Sequence, residues 1–330
     1  MLHKEKHVQF VHKLMHAPET LESIMTEHLK MNAIYWGLSV LDLLDSLPSK
    51  EESDEIMKWI MSCRNRDGGF GGAPMHDSHI LYTLSAIQSA VILGHLDQID
   101  CDSVVNYIVG LQKPDGSFMG DKFGEIDTRF VYCSCLSLSI LGKLDAINQK
   151  SAAEYIEKCK NWDGGFGQKE SSESHGGQIF CCVGALSLLN RLDIVEKDKL
   201  AWWLSERQTS VGGLCGRPEK DPDVCYSWWI LSSLAILDRL KWISCDALSA
   251  FILHCQDPEN GGISDAPDNV ADVYHTFFGI AGLSLMGKCD LKRTIDPSYA
   301  LTHRALESIG INKEKISLPK VEKIKEKKDE

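Results

Sequence analysis

The sequence predicts an all-α protein, an α6–α6 barrel of helical hairpins repeating about every 48 residues. Three observations carry this. A glycine turn recurs as NRDGGFGG, KPDGSFMG, NWDGGFGQ, TSVGGLCG and PENGGISD, with first glycines at Gly68, Gly116, Gly164, Gly212 and Gly261. The intervals are 48, 48, 48 and 49 residues, which marks a repeat architecture. Each turn is followed by an apolar segment with no polar face, and strand-like alternation is absent.

The apolar segments are HILYTLSAIQSAVILG, RFVYCSCLSLSILG, GQIFCCVGALSLLN, CYSWWILSSLAIL and HTFFGIAGLSLMG. A helix apolar all round is buried on both sides, so these form an inner layer. The second segments, SVVNYIVGLQ, AAEYIEKC, KLAWWLSERQ and ALSAFILHCQ, carry a one-sided stripe and suit an outer layer. Each ends at the next glycine turn, where glycine supplies the left-handed residue that closes a helix. Residues Ile34 to Cys63 add a further hairpin. Six hairpins with such apolar inner helices favour closure into a ring over an open superhelix. One unit is expected over 1–310, followed by a charged, disordered tail over 311–330, INKEKISLPKVEKIKEKKDE from Ile311.

Composition narrows the class. The net charge of -12 argues against a nucleic-acid binder. The 12 cysteines sit largely in apolar runs, and the start, MLHKEKHVQF, has no secretory pattern, so free buried thiols and a cytoplasmic setting are expected. No apolar run reaches the roughly 18 residues of a membrane span.

One column of the repeat collects ionisable residues. Eleven positions after each first glycine stand His79, Asp127, His175, Asp223 and Asp272, each at the start of an inner helix. Equivalent positions lie at one end of a ring, so these groups surround a single mouth. The inner-helix N-termini gather there too and favour an anion, with Arg129, Arg217 and Lys220 nearby. An amphiphile with an anionic head and an apolar tail would fit. Helix capping is the plainer explanation for any single member of the column.

Asp223 and Cys225 are two residues apart, and His275 starts the next inner helix. Carboxylate, thiolate and imidazole suit zinc, and three protein ligands leave a fourth position open, as in catalytic sites.

These residues also carry a resemblance. GGFGGAPMHDSHILYTLSA, GEIDTRFVYC, ESHGGQIFCC, GGLCGRPEKDPDVCYSWW and YHTFFGIAGLSL resemble the β-subunit family of protein prenyltransferases over about residues 20 to 290. GDKFGEIDTRF and GRPEKDPDVCYSWW look most like its Rab geranylgeranyltransferase (type II) branch. The resemblance implies zinc on Asp223, Cys225 and His275, and diphosphate binding by His175, Arg217, Lys220 and Tyr226, with Arg129 close by. It implies an α-subunit partner, geranylgeranyl diphosphate as donor, and Rab proteins presented by an escort protein as acceptors. Tyr132, Trp229, Trp36 and Trp228 would line the isoprenoid tube. Asn32 stands where farnesyl-type members carry a tryptophan at the tube floor, so a twenty-carbon chain would fit. Asp265 stands at a magnesium-binding position of those members. The alternatives are a type I or farnesyl-type β-subunit acting on C-a-a-X proteins, a terpene cyclase, and a non-catalytic helical scaffold.

Overall fold

The computed structural model describes residues 1–16 and 20–313. Most of the expected tail, 314–330, lies outside the described residues. In chain order the helices are α1 (Lys4–Met15), α2 (Leu21–Met25), α3 (Lys30–Leu43), α4 (Lys50–Ser62), α5 (Ile80–Leu93), α6 (Cys101–Gly110) and α7 (Thr128–Ile140). They continue as α8 (Gln149–Lys158), α9 (Gly176–Leu188), α10 (Lys197–Ser205), α11 (Tyr226–Ile236), α12 (Cys245–His254), α13 (Val273–Leu285) and α14 (His303–Ser308). A two-stranded hairpin, β1 (Ile295–Asp296) against β2 (Leu301–Thr302), precedes α14.

The inner layer is α3, α5, α7, α9, α11 and α13. Each packs on the next, and α13 packs back on α3, so the ring is closed as expected. The inner helices are buried on nearly every face because neighbours flank them and the outer layer backs them. Phe70, Phe118 and Phe166, two residues after their glycines, are fully buried between the layers. Each such ring contributes roughly 1.5–3 kcal/mol of burial.

The glycine turns set the pitch of the ring. Their first glycines have φ between 78° and 94°. At Gly68, Gly116 and Gly212 a Cβ would meet the backbone carbonyl of Ser103, Ser151 or Ala247, at the start of the following outer helix. Only glycine meets both demands.

The sixth outer helix comes from the other end of the chain. The repeat pattern supplies five outer segments and assigns no element to the first residues. The structure adds one, because α1 stands in the register of an outer helix following α13. A Cβ at Gly261 would meet the carbonyl of Lys6, in α1. Gln112 clamps the backbone of Asn148, the N-cap of α8, and Gln208 clamps Ser244, the N-cap of α12. Gln256 likewise accepts from the N–H of His3, the N-cap of α1.

His7 completes the seam. In earlier turns an aspartate two residues before the second turn position accepts its N–H, as Asp67 does for Gly69 and Asp163 for Gly165. At Gly262 the acceptor is Nδ1 of the fully buried His7, at 2.9 Å. The ring is therefore neutral, with its Nε2–H toward Gln256 Oε1 at 3.3 Å. Burial lowers its pKa to about 4. The unfolded chain takes up this proton near pH 6.5 and the folded chain only near 4, so the unfolded state binds more protons in between. Stability is intact above about pH 6.5 and falls as pH drops toward 4, by at most about 3 kcal/mol from this group. Urea unfolding at about pH 7.5 and about pH 4.5 should show that loss, and His7→Asn, which keeps an acceptor but not the titration, should lack it.

The hairpin closes the end of the ring opposite the glycine turns. Asp42, near the end of α3 and fully buried, accepts from Arg304 at 2.8 and 3.1 Å and also from Arg293 and Thr302. Ser284 of α13 accepts from the N–H of Ile295 at 3.2 Å. All twelve cysteines are unpaired, as the composition leads one to expect. Among the described residues no helix is long and apolar enough to cross a membrane.

Candidate active site

The ionisable column forms one mouth: His79, Asp127, His175 and Asp272 are the N-caps of α5, α7, α9 and α13, and Asp223 caps the turn that leads into α11. Asp127 Oδ1 accepts the N–H of Arg129 at 2.8 Å, Asp223 Oδ1 that of Cys225 at 2.7 Å, and Asp272 Oδ1 that of His275 at 2.9 Å. His79 and His175 do the same through Nδ1, at 3.2 and 3.1 Å. The first N–H of an inner helix goes to the neighbouring loop, as Ile80 to Gly120 O and Gly176 to Gly216 O, both at 2.9 Å. Cap and loop thus engage the first two N–H groups of α5, α7 and α9, so side chains take a larger share of any anion recognition at the mouth.

Capping prepares the two histidines for that task. With Nδ1 accepting, each neutral ring carries its proton on Nε2. The Nε2 of His175 lies 3.1 Å from Tyr226 Oη. Burial and the nearby Arg217 lower the His175 pKa, which favours the neutral donor. Tyr226 lies against Gly216, where a Cβ would stand 2.1 Å from its hydroxyl. Of the expected cations, Arg217 pairs with Glu173 at 2.8 Å and Arg129 with Asp127 at 2.7 Å, while Lys220 is exposed. The positive rim is thus partly neutralised, since an arginine fork pairs readily with a nearby carboxylate.

Asp223, Cys225 and His275 converge. One ligand atom from each lies within 4.8 Å of the others. Tetrahedral zinc with bonds of roughly 2.0–2.3 Å spaces its ligands roughly 3.3–3.8 Å apart, so a slight contraction completes the set. Burial alone would lower the His275 pKa, but hydrogen bonds to Asp223 and Asp272 outweigh it and push it up to about 10. Burial and the Asp223 carboxylate hold the Cys225 thiol well above its usual range. Burial opposes ionisation of Asp223, yet its bonds to His275 and Cys225 keep its pKa low. Negative charge is concentrated here, and a divalent metal would relieve it.

Asp272 has a second task that the sequence reading does not assign. Its Oδ2 lies 2.6 Å from His275 Nδ1, which turns Nε2 toward Asp223 at 3.4 Å. A carboxylate on the far nitrogen of a metal-binding histidine fixes its tautomer and orientation. The available signal is an acid three residues before the histidine in the shared column. Asp272→Asn should weaken metal affinity about 10- to 100-fold, as loss of an outer partner of a ligand histidine usually does. Competition with a metallochromic chelator measures it.

Below the mouth the wall is aromatic. Trp36 meets Tyr274 edge-on at 4.4 Å, Phe278 meets Trp229 at 4.7 Å, Trp229 meets Phe180 at 5.2 Å, and Phe180 meets Tyr132 at 5.0 Å. Trp228 is 1% exposed and packs on Phe277 and on Phe180 of this wall. Asn32 sits in the first turn of α3, accepting from Ser85 Oγ at 3.0 Å. Asp265 accepts from the Asn269 amide at 2.9 Å, and its carbonyl accepts from Val224 at 2.8 Å beside the Asp223–Cys225 segment.

A family model described as the prenyltransferase alpha-alpha toroid domain matches residues 2–301. The chain belongs to this prenyltransferase family. Within it the chain falls among the type-2 β-subunits. It is 70% identical over 309 residues to the probable geranylgeranyl transferase type-2 subunit beta of Dictyostelium discoideum, spanning 93% of this chain and 91% of that one. It is 49% identical over 305 residues to the Saccharomyces cerevisiae geranylgeranyl transferase type-2 subunit beta, spanning 90% and 93%. Among solved structures the fold matches the Candida albicans protein geranylgeranyltransferase-I complexed with GGPP. That match has a TM-score of 0.85 and 22% identity over 96% of this chain and 100% of that one. The type II terpene cyclase MstE from Scytonema shares the fold more distantly, with a TM-score of 0.57 and 11% identity over 84% and 96%. As a prenyltransferase, the chain joins a candidate metal centre, a donor pair and an aromatic wall in one ring.

Proposed function

We propose that this chain is the catalytic β-subunit of a Rab-type geranylgeranyl transferase. It works with an α-subunit, moving the geranylgeranyl group from geranylgeranyl diphosphate to C-terminal cysteine thiols of Rab proteins presented by an escort protein. The naming of full-length relatives at 70% and 49% identity supports the branch. The observation that carries the chemistry is the convergence of Asp223, Cys225 and His275 beside the His175–Tyr226 pair.

The roles follow from the residues. Asp223, Cys225 and His275 would hold zinc, which when bound would supply the means to deprotonate an acceptor thiol at neutral pH, where a free cysteine is mostly protonated. His175 donates from Nε2 and Tyr226 from its hydroxyl to the diphosphate, whose negative charge grows as the C–O bond breaks. Arg217 and Lys220 add charge from the loop before α11, and Arg129 adds it across the mouth once the anion competes for their carboxylate partners. Trp36, Tyr132 and Trp229 shield the apolar chain, and their ring faces favour positive character on the allylic carbon. Asn32 leaves more room than a tryptophan would, which suits a twenty-carbon chain. Asp265 is the candidate to hold magnesium. Residues 1–310 act as one catalytic unit, in the cytoplasm.

The test is reconstitution with a candidate α-subunit and labelled geranylgeranyl diphosphate. Transfer to a Rab ending in two cysteines only when its escort is present supports this reading. Transfer to a bare C-a-a-X peptide would move the chain to the type I or farnesyl branch. Transfer to neither acceptor would sink the proposal.

A further inference from the structure

Successive outer helices are joined at seams, and at most of them a long side chain clamps the start of the next helix. Arg64 reaches Asp100, the N-cap of α6, at 2.7 Å. Gln112 and Gln208 hold both the N–H and the carbonyl of Asn148 and Ser244. Lys160 lies 3.6 Å from Glu196, the N-cap of α10, and Gln256 accepts from His3. The seam from α1 to α4 is built differently. The N–H of Ser49, the N-cap of α4, goes to Glu52 of its own helix at 2.9 Å, in a capping box. Among the described residues no side chain of α1 clamps it. What α1 brings to this seam is a pair of histidines.

His12 lies in the last turn of α1 and His16 is its C-cap. Their rings are 6.3 Å apart with 24° between planes. His16 Nδ1 lies 2.9 Å from the carbonyl of His12. A carbonyl only accepts, so Nδ1 carries the proton and Nε2 of the neutral ring presents a lone pair. That lone pair faces Glu52 Oε1 at 3.8 Å. Two electron-rich atoms in this position call for a cation. A second proton on His16 would answer the call, and so would a metal ion, but only the metal gives His12 a task. Among the described residues the His12 side chain makes no hydrogen bond, so its ring can turn toward the same point.

The residue types and spacing suit a metal. Histidines at i and i+4 on one helix face are a zinc-binding pair, and imidazole with carboxylate suits zinc or nickel. An Nδ1–H bonded to a backbone carbonyl is the outer contact that fixes a ligand histidine. Glu52 is fixed in turn by Ser49. The site lies at the C-terminal end of α1, where the helix dipole favours a cation. Tetrahedral ligands stand roughly 3.3 Å apart, so the His12 ring must swing inward, which the roughly 5–6 Å between Cβ atoms of an i, i+4 pair permits.

We propose that His12, His16 and Glu52 form a second metal site, for a divalent ion of the zinc or nickel type, that staples α1 to α4. Water completes the coordination. The staple closes the seam at the helix drawn from the far end of the chain. It is separate from Asp223, Cys225 and His275 and does not depend on the transfer chemistry.

The test uses the full chain carrying Cys225→Ala, which disables the other centre. The protein is stripped with a chelator and titrated with nickel chloride by calorimetry, and hydrogen exchange is read with and without nickel. One nickel should bind per chain and slow exchange of the α1 amides by about 10-fold or more. His12→Ala and His16→Ala should each weaken that binding at least about 10-fold, since a lost ligand costs no less than a lost outer partner. Glu52→Gln should weaken it too while keeping the capping box, which accepts glutamine. Both histidines are at least partly exposed, so the metal-free melting temperature should hold in all three variants. Nickel uptake and α1 exchange that are the same in the parent, His12→Ala and His16→Ala would overturn the site. Uptake that depends on the histidines but leaves α1 exchange unchanged would overturn the staple.

Discussion

Cys225→Ala should strip the metal from the chain and cut prenyl transfer at least about 100-fold, with helix content unchanged. Without a metal, an acceptor cysteine of ordinary pKa is only a few per cent thiolate at about pH 7, which alone forfeits more than about tenfold. Loss of the fixed attack geometry adds at least as much again. Alanine fills a site where burial and the Asp223 carboxylate already disfavour the charged sulfur, so folding has little to lose. Elemental analysis reads the metal, and single-turnover transfer reads the chemistry. Full metal content and full activity in this variant would refute the assignment of Cys225.

Asp42→Ala should destabilise the fold by about 3 kcal/mol, the lower end for breaking a buried ion network from one side. The carboxylate is fully buried, and it ties Arg293, Thr302 and Arg304 of the C-terminal segment to the end of α3. The lower figure applies because both arginines keep some solvent contact, at 22% and 35% side-chain exposure. Urea unfolding measures it. A loss under about 1 kcal/mol would mean the segment is held by packing alone.

Much of this was legible because the fold repeats. Glycine turns 48 residues apart, with apolar segments between them, mark the inner helices and their closure. The ionisable column marks the mouth, because a repeat turns sequence register into spatial level. Two parts escaped for a common reason: each depends on a partner with no counterpart in the repeat. The place of α1 as sixth outer helix is set by contacts with the far end of the chain, through Gln256, Gly261 and Gly262. The hairpin at 295–302 is too short to show a period, and its place is set by contacts with Asp42 and Ser284 of distant helices. Trp228 and Trp229 show the remaining difficulty. Trp228 is fully buried and Trp229 only partly so, and an all-apolar helix carries no face to say which is which.

Cobalt substitution tests most directly whether Asp223, Cys225 and His275 hold a metal with one position left for the acceptor thiol, because thiolate-to-cobalt charge transfer is visible in the near-ultraviolet. The expected result is a tetrahedral spectrum with one thiolate band, absent in Cys225→Ala. That band should strengthen when a Rab ending in cysteines is added with its escort to the complex holding a non-transferable geranylgeranyl diphosphate analogue. A cobalt spectrum identical in wild type and Cys225→Ala, or one that the acceptor leaves unchanged, would contradict it.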